Sequence, residues 1–165
     1  MNINVSDIIA SISLIVSIGA VIFAKLSSSK ANSIAQDNLN LQFGMVELEM
    51  RQAIENAKSK VNEINIIMAP LIAKQDAGNI DDEGEFTLKS YSKSFNAAVQ
   101  TLMNTYDDAC SKYIDNKVDK NRFKKNYKYE IRNLLENKEL KEYFDPLTSR
   151  YKPILNVYTE WENSE

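Results

Sequence analysis

The chain has 165 residues, a formal net charge of -3, one cysteine and no histidine. That length suits one compact domain, and the weak negative charge gives no indication of DNA binding. With Cys110 as the single thiol and no imidazole, the chain cannot form an intrachain disulfide, a Cys/His metal cluster or a Ser-His-Asp triad. The composition therefore argues against an enzyme and against a bound metal or other cofactor.

An uncharged apolar segment, residues 8–24, lies between Asp7 and Lys25. With its uncharged flanks it approaches the roughly 20 residues that a helix needs to cross a bilayer, so we predict a single-pass transmembrane anchor over residues 1–27. The alternative is a cleaved signal peptide, which is disfavoured because no Lys or Arg precedes the segment and no Ala-x-Ala site follows it. The positive-inside rule, with Lys25 and Lys30 after the segment, predicts an inner-membrane protein whose C-terminal domain is cytoplasmic.

Small residues recur along this segment at intervals of three and four. Small side chains let transmembrane helices approach closely, and serine hydroxyls can form hydrogen bonds across the contact. The pattern predicts self-association of the anchor in the lipid bilayer, with chance as the alternative. The predicted packing residues are Ala10, Ser13, Ser17, Ala20 and Ala24.

After the anchor, we predict a polar linker over residues 28–40 and an all-helical domain over residues 41–165. Apolar residues repeat at intervals of three and four from Phe43 to Leu71. This spacing places them on one face of a helix, which we predict from about residue 38 to residue 73.

The sequence pattern of the rest of the chain predicts further helices. An acidic, glycine-containing loop over residues 75–84 is followed by a second helix, predicted over residues 86–115. Asp119 is the predicted N-cap of a third helix, and the pair of residues 145–146, Asp-Pro, is the predicted start of the last one. The predicted fold class is therefore all-α: one N-terminal transmembrane helix followed by a small cytosolic bundle of about four or five helices.

Basic residues are concentrated between Lys112 and Arg132, where eight of them accompany three acidic residues. Lys125, Lys128 and Arg132 share one helical face, and Tyr129 lies beside them, off the apolar face. Because Lys and Arg bind phosphates and an aromatic ring stacks on a base, this face predicts an anionic ligand site. Anionic lipid headgroups and a simple solvated helix face are the alternatives. The predicted ligand-binding residues are Arg122, Lys125, Lys128, Tyr129 and Arg132.

A small-residue transmembrane helix, a linker opening with the serines of residues 27–29, and an all-α domain with a basic, tyrosine-rich C-terminal half occur in this order. This layout resembles the membrane-anchored effectors of type III CRISPR systems that bind cyclic tetra-adenylate. The stretch YFDPLTSRYK at residues 143–152 is part of the resemblance. The resemblance implies a helical cytosolic domain that assembles as a homo-tetramer around the cyclic nucleotide and perturbs the membrane. It assigns no binding role to any individual residue.

We therefore predict a membrane-anchored antiviral defence effector whose cytosolic domain binds a cyclic oligoadenylate second messenger as an oligomer, without catalysis. The alternative is a membrane-tethered helical adaptor that binds a protein partner. Stoichiometry and ligand ring size are left open by the sequence.

Overall fold

A computed structural model describes the backbone of residues 5–164 and the side chains of residues 17, 19–141 and 143–164. Within these limits every regular element is a helix, and there is no strand. The helices are α1 (Val5–Asp76), α2 (Asp82–Ile114), α3 (Lys120–Glu136), the 3-10 helix η1 (Lys141–Phe144) and α4 (Lys152–Glu162). The prediction that the chain is all-α is confirmed.

The chain divides into two compact units, residues 1–42 and residues 43–165. α1 is one continuous helix that contributes to both, whereas the sequence pattern predicted a helix only from about residue 38. The physical reason is that residues 20–43 contain neither proline nor glycine, so nothing interrupts the helix between the apolar N-terminus and Phe43.

The predicted transmembrane helix is contradicted. In the part of the chain that the structure describes, no helix combines the length and the apolar character needed to cross a bilayer. The single-pass anchor at residues 8–24 and the inner-membrane location derived from it are therefore wrong as predictions.

The predicted packing residues of that anchor divide into two groups. The side chains of Ala10 and Ser13 lie outside the described residues. Ser17, Ala20 and Ala24 are exposed on α1.

A residue with a left-handed backbone conformation follows each of the two long helices, and the chain changes direction there. Gly78 follows α1 with φ of 68°, and the Asn79 N–H donates to the Lys74 carbonyl at 2.9 Å, which closes a Schellman motif. Asn116 occupies the equivalent position after α2, with φ of 56°. Glycine and asparagine tolerate this conformation better than other residues, which explains why the helices end there.

α3 begins where the sequence predicts, directly after Asp119. The Asp119 carboxylate accepts a hydrogen bond from the Arg122 N–H at 2.9 Å, so the predicted N-cap is confirmed.

The predicted start of the last helix at residues 145–146 is wrong. Asp145 accepts hydrogen bonds from the Leu147 and Thr148 N–H groups at 2.8 and 3.0 Å, and these bonds close a turn instead. They also hold the pKa of Asp145 below its usual value. α4 begins only at Lys152, with Pro153 in its first turn, where a missing N–H costs nothing.

The second unit, residues 43–165, has its main core where α1, α2, α3 and α4 meet. A smaller apolar cluster joins the distal part of α1 to the first half of α2 and contains Ile64, Met68, Leu88 and Ala98. The most deeply buried large side chains are those of Ile54, Met103, Cys110, Phe123, Ile131, Ile154, Val157 and Trp161.

A polar contact joins α3 to both long helices beside this core. The Glu130 carboxylate accepts a hydrogen bond from the buried hydroxyl of Tyr106 on α2. It also accepts a hydrogen bond from the Lys58 ammonium on α1 at 2.9 Å. Burial raises the pKa of Tyr106, and the adjacent carboxylate raises it further, so this hydroxyl remains a donor.

Replacing Glu130 with alanine should destabilise the second unit. The buried Tyr106 hydroxyl would lose its acceptor, which costs roughly 1–3 kcal/mol in the free energy of unfolding. The matched control is Glu63→Ala, which removes an exposed carboxylate paired with Lys60 and should cost less than about 0.5 kcal/mol. Urea unfolding of the two variants measures both changes, and equal small losses would show that Glu130 has no structural role.

Candidate functional site

The helix α3 presents different side chains on its different faces. Phe123, Tyr127 and Ile131, at intervals of four, are buried against the core. A helix that buries one such face must turn the residues between them outward. The outward residues include most of the basic ones predicted to bind an anion.

A shallow surface depression of about 370 Å³ lies on this outward side, and we call it the α3 groove. Its lining consists of Lys124, Lys125, Lys128, Tyr129 and Arg132. Four of the five predicted ligand-binding residues are thus brought together, and Lys124 is an addition that the sequence analysis missed. Its position directly before Lys125 in the basic segment could have indicated it.

Two of the cations in the α3 groove are held by the end of α4. Arg132 forms a hydrogen-bonded ion pair with Glu162, and its Nε lies 3.9 Å from a Glu136 oxygen. The hydrogen bond with Glu162, followed by its charge, raises the pKa of Arg132. The Lys124 ammonium donates to the Ser164 hydroxyl at 2.9 Å. The groove therefore has a defined edge next to α4.

Tyr129 presents an aromatic ring to solvent within this cationic surface. It is 75% exposed, whereas the tyrosine two positions earlier on α3, Tyr127, is buried. An exposed ring between lysines offers a flat surface on which a base can stack.

Arg122 is not part of the α3 groove. Its Nε lies 3.2 Å from a carboxylate oxygen of Glu47 on α1, and Glu47 also accepts a hydrogen bond from the Asp119 N–H at 3.2 Å. This pairing attaches the start of α3 to α1. The structure therefore places Arg122 in a helix–helix contact and separates it from the other predicted ligand-binding residues.

A second, more apolar cavity of about 430 Å³ was missed by the sequence analysis, and we call it the apolar groove. Apolar spacing alone would place most of its lining on buried helix faces, but several of these side chains stay partly exposed around an open space. Its lining residues are Val61, Phe95, Asn96, Val99, Leu102, Leu134, Asn137, Glu139, Leu140 and Tyr143.

The one thiol of the chain lines neither the α3 groove nor the apolar groove. Cys110 is fully buried in the main core. Burial raises its pKa, followed by a smaller effect of Asp107, so the thiol stays protonated and unreactive at neutral pH.

No protein-family model matches this chain, and neither curated proteins nor solved structures give a match. The resemblance to cyclic-tetra-adenylate-binding effectors therefore stays a prediction.

Glu162 forms an ion pair with Arg132, one of the cations of the α3 groove. Removing the charge of Glu162 should therefore strengthen anion binding. We expect Glu162→Gln to bind inorganic tripolyphosphate more tightly than the parent chain, since Arg132 then has one fewer carboxylate as a competitor. Isothermal titration at low ionic strength measures the affinity. Glu63→Gln, which removes the same charge from an exposed site on α1, should leave it unchanged. Weaker binding by Glu162→Gln would instead mean that Glu162 positions Arg132 for the anion.

Proposed function

We propose that residues 43–165 form a non-catalytic sensor domain that binds a nucleotide with several phosphates, of the cyclic oligoadenylate class, at the α3 groove. In this proposal the chain acts as an oligomeric antiviral defence effector that responds to that second messenger. The observation that carries the proposal is the grouping of three lysines, one arginine and an exposed tyrosine on one surface.

The chemistry of the groove suits both parts of a nucleotide. Lysine and arginine side chains form charge-assisted hydrogen bonds with phosphate oxygens. The ring of Tyr129 can stack on a base, a contact that tolerates any base but gives substantial binding energy. A surface meant only for solvation does not need an exposed aromatic ring between its cations.

The size of the groove favours binding by more than one copy of the chain. Its volume of about 370 Å³ is at the lower end of the range for small-ligand sites, roughly 300–1,000 Å³. A cyclic oligonucleotide is larger and repeats the same phosphate and base several times. A symmetric assembly could meet each repeat with the same residues from a different subunit.

A second candidate function is that of a helical adaptor for a protein partner, and one observation favours it. The apolar groove carries a row of partly exposed apolar side chains, including Phe95, Leu102 and Tyr143, with Asn96 and Asn137 among its lining residues. A groove of this composition suits an amphipathic peptide segment, whose apolar side chains would fill it. A stable monomer with no affinity for a nucleotide would favour this candidate.

Charge reversal in the α3 groove should weaken nucleotide binding without unfolding the domain. We expect Lys125→Glu and Lys128→Glu each to lower the affinity for a cyclic oligoadenylate by roughly 10- to 100-fold, because each removes a charge-assisted hydrogen bond and adds a repulsive charge. The rise in thermal midpoint of the full chain on adding cyclic oligoadenylates of different ring size measures binding, since a ligand of the native state raises the midpoint.

The matched control is Lys138→Glu, which makes the same charge change at an exposed lysine outside the groove. It should keep the parent response. Equal responses of all three variants would place the binding site elsewhere, and no response of the parent chain to any ring size would contradict the proposed ligand class.

Substitution of Tyr129 distinguishes recognition of a base from recognition of phosphates. We expect Tyr129→Ala to weaken binding of a cyclic oligoadenylate by about 1–3 kcal/mol, the usual contribution of one stacked base, and to leave tripolyphosphate binding nearly unchanged. Tyr129→Phe keeps the ring and should bind both as the parent does. Because Tyr129 is largely exposed, neither variant should alter the thermal midpoint of the unliganded chain. Equal losses for both ligands would contradict a stacking role.

A further inference from the structure

The apolar groove lies between the two apolar clusters of the second unit. Its lining residues Val61 and Phe95 pack against the smaller cluster. Leu102, Leu134 and Tyr143 pack against the main core instead. Protein interiors are normally close-packed, and side chains that face a gap lose van der Waals contacts on that side. An apolar molecule in the groove would restore such contacts and continue the core from one cluster to the other.

The size of the apolar groove suits a small molecule. Its volume of about 430 Å³ falls within the range of small-ligand sites, roughly 300–1,000 Å³. A smaller depression of about 260 Å³ shares Val61, Phe95 and Leu102 with it, so a ligand has room to extend toward Lys58. Ten residues line the groove, whereas a standard protein interface uses roughly 20–30 residues on each side. The groove is therefore better matched to a small molecule than to the surface of a protein.

Two side-chain amides supply hydrogen-bonding groups among the lining residues. The Oδ1 atom of Asn137 accepts a hydrogen bond from the Glu139 N–H at 2.9 Å, which leaves the amide nitrogen as a donor. The amide of Asn96 on α2 is exposed and forms no hydrogen bond with another residue that the structure describes. An amide donates and accepts without carrying a net charge. These two groups therefore suit a hydroxyl, carbonyl or amide group of a ligand.

The charged residues around the apolar groove favour an uncharged ligand. Among its described lining residues Glu139 alone is charged. Glu139 is exposed, so an ion pair with it would add little to the affinity. In the adjoining depression, Lys58 is already paired with Glu55 at 3.2 Å and with Glu130 at 2.9 Å. A charge carried in between the apolar side chains would lose its hydration without a strong counter-charge, which is costly.

We propose that the apolar groove binds an uncharged, largely apolar small molecule that carries a hydroxyl, carbonyl or amide group. The apolar body of the ligand lies between the two clusters, and its polar group meets Asn96 and Asn137. The proposal does not rest on the nucleotide proposed for the α3 groove, because the two sites share no lining residue.

Three probes with one apolar body test the ligand class on the full chain. They are phenylbutanol, phenylbutylammonium and phenylbutanoate, which differ in the charge of the terminal group. Isothermal titration at equal ionic strength measures each affinity. We expect the alcohol to bind most tightly and each ion to bind roughly tenfold more weakly or worse, because an ion would bring an unpaired charge to apolar walls.

Substitutions on α2 locate the bound alcohol. Asn96→Trp introduces a large side chain from an exposed position, and Val99→Phe adds volume within the groove. Each should weaken binding of the alcohol by roughly tenfold, because each removes space from the groove. Asn104→Trp makes the first of these changes at an exposed residue of α2 outside the groove, and it should keep the parent affinity. Lys125→Glu, in the α3 groove, should keep it as well.

Three outcomes would overturn the proposal. No binding of phenylbutanol would exclude this ligand class and favour a peptide as the occupant of the groove. Parent affinity in both Asn96→Trp and Val99→Phe would place the bound alcohol elsewhere. Binding of either ion as tight as that of the alcohol, and lost in Asn96→Trp, would contradict an uncharged ligand. Because Asn96 is exposed, Asn96→Trp should keep the thermal midpoint of the unliganded chain, so a loss of binding reports on the groove.

Discussion

The indole of Trp161 on α4 contacts an aromatic ring on each of two other helices. Its Nε1 donates a hydrogen bond to the Tyr113 hydroxyl on α2 at 3.1 Å, and the two rings lie edge to face with centroids 5.6 Å apart. The ring of Phe123 on α3 lies 6.0 Å from the indole and 5.2 Å from Tyr113. The Tyr113 hydroxyl in turn donates to Glu160 at 2.7 Å, so its polar end is satisfied. Paired aromatic rings with satisfied polar groups are both tightly packed and geometrically specific.

This aromatic contact determines where the α3 groove can be. Because Phe123 points into it, the rotation of α3 about its own axis is fixed, and Lys125 and Tyr129 must face outward. The same contact sets the end of α4 beside α3, where Glu162 reaches Arg132. Cations four residues apart on a helix repel one another by a few tenths of a kcal/mol each, so the basic face contributes nothing to the stability of α3 by itself. The carboxylates of Glu162 and Glu136 near Arg132 offset part of that repulsion, and the proposed anionic ligand would offset more of it.

The parts of the site that could be predicted from sequence are those that depend on neighbours along the chain. Helical spacing alone brings Lys125, Lys128, Tyr129 and Arg132 to one face, and the N-cap role of Asp119 needs only the three residues that follow it. Arg122 differs, because its partner Glu47 is on another helix and far away in the chain. The apolar groove was missed for a related reason, since apolar spacing identifies a face of a helix but not whether the facing helix fills it. The transmembrane prediction is contradicted because, among the described residues, no helix is long and apolar enough to cross a membrane. The start of the first helical face was also placed too late, at about residue 38, because the polar residues before it show no apolar spacing although they continue α1.

The number of copies in an assembly also bears on how a repeated ligand could be bound. If copies of the chain assemble as proposed, every assembly contains at least two α3 grooves. A ligand with one phosphate gains nothing from this arrangement, because it still occupies one groove. A ligand that repeats its phosphates gains through effective concentration, provided that its span matches the distance between grooves. Assembly would therefore select for ligands with repeated phosphates and a fixed span, without any further contact to the nucleotide.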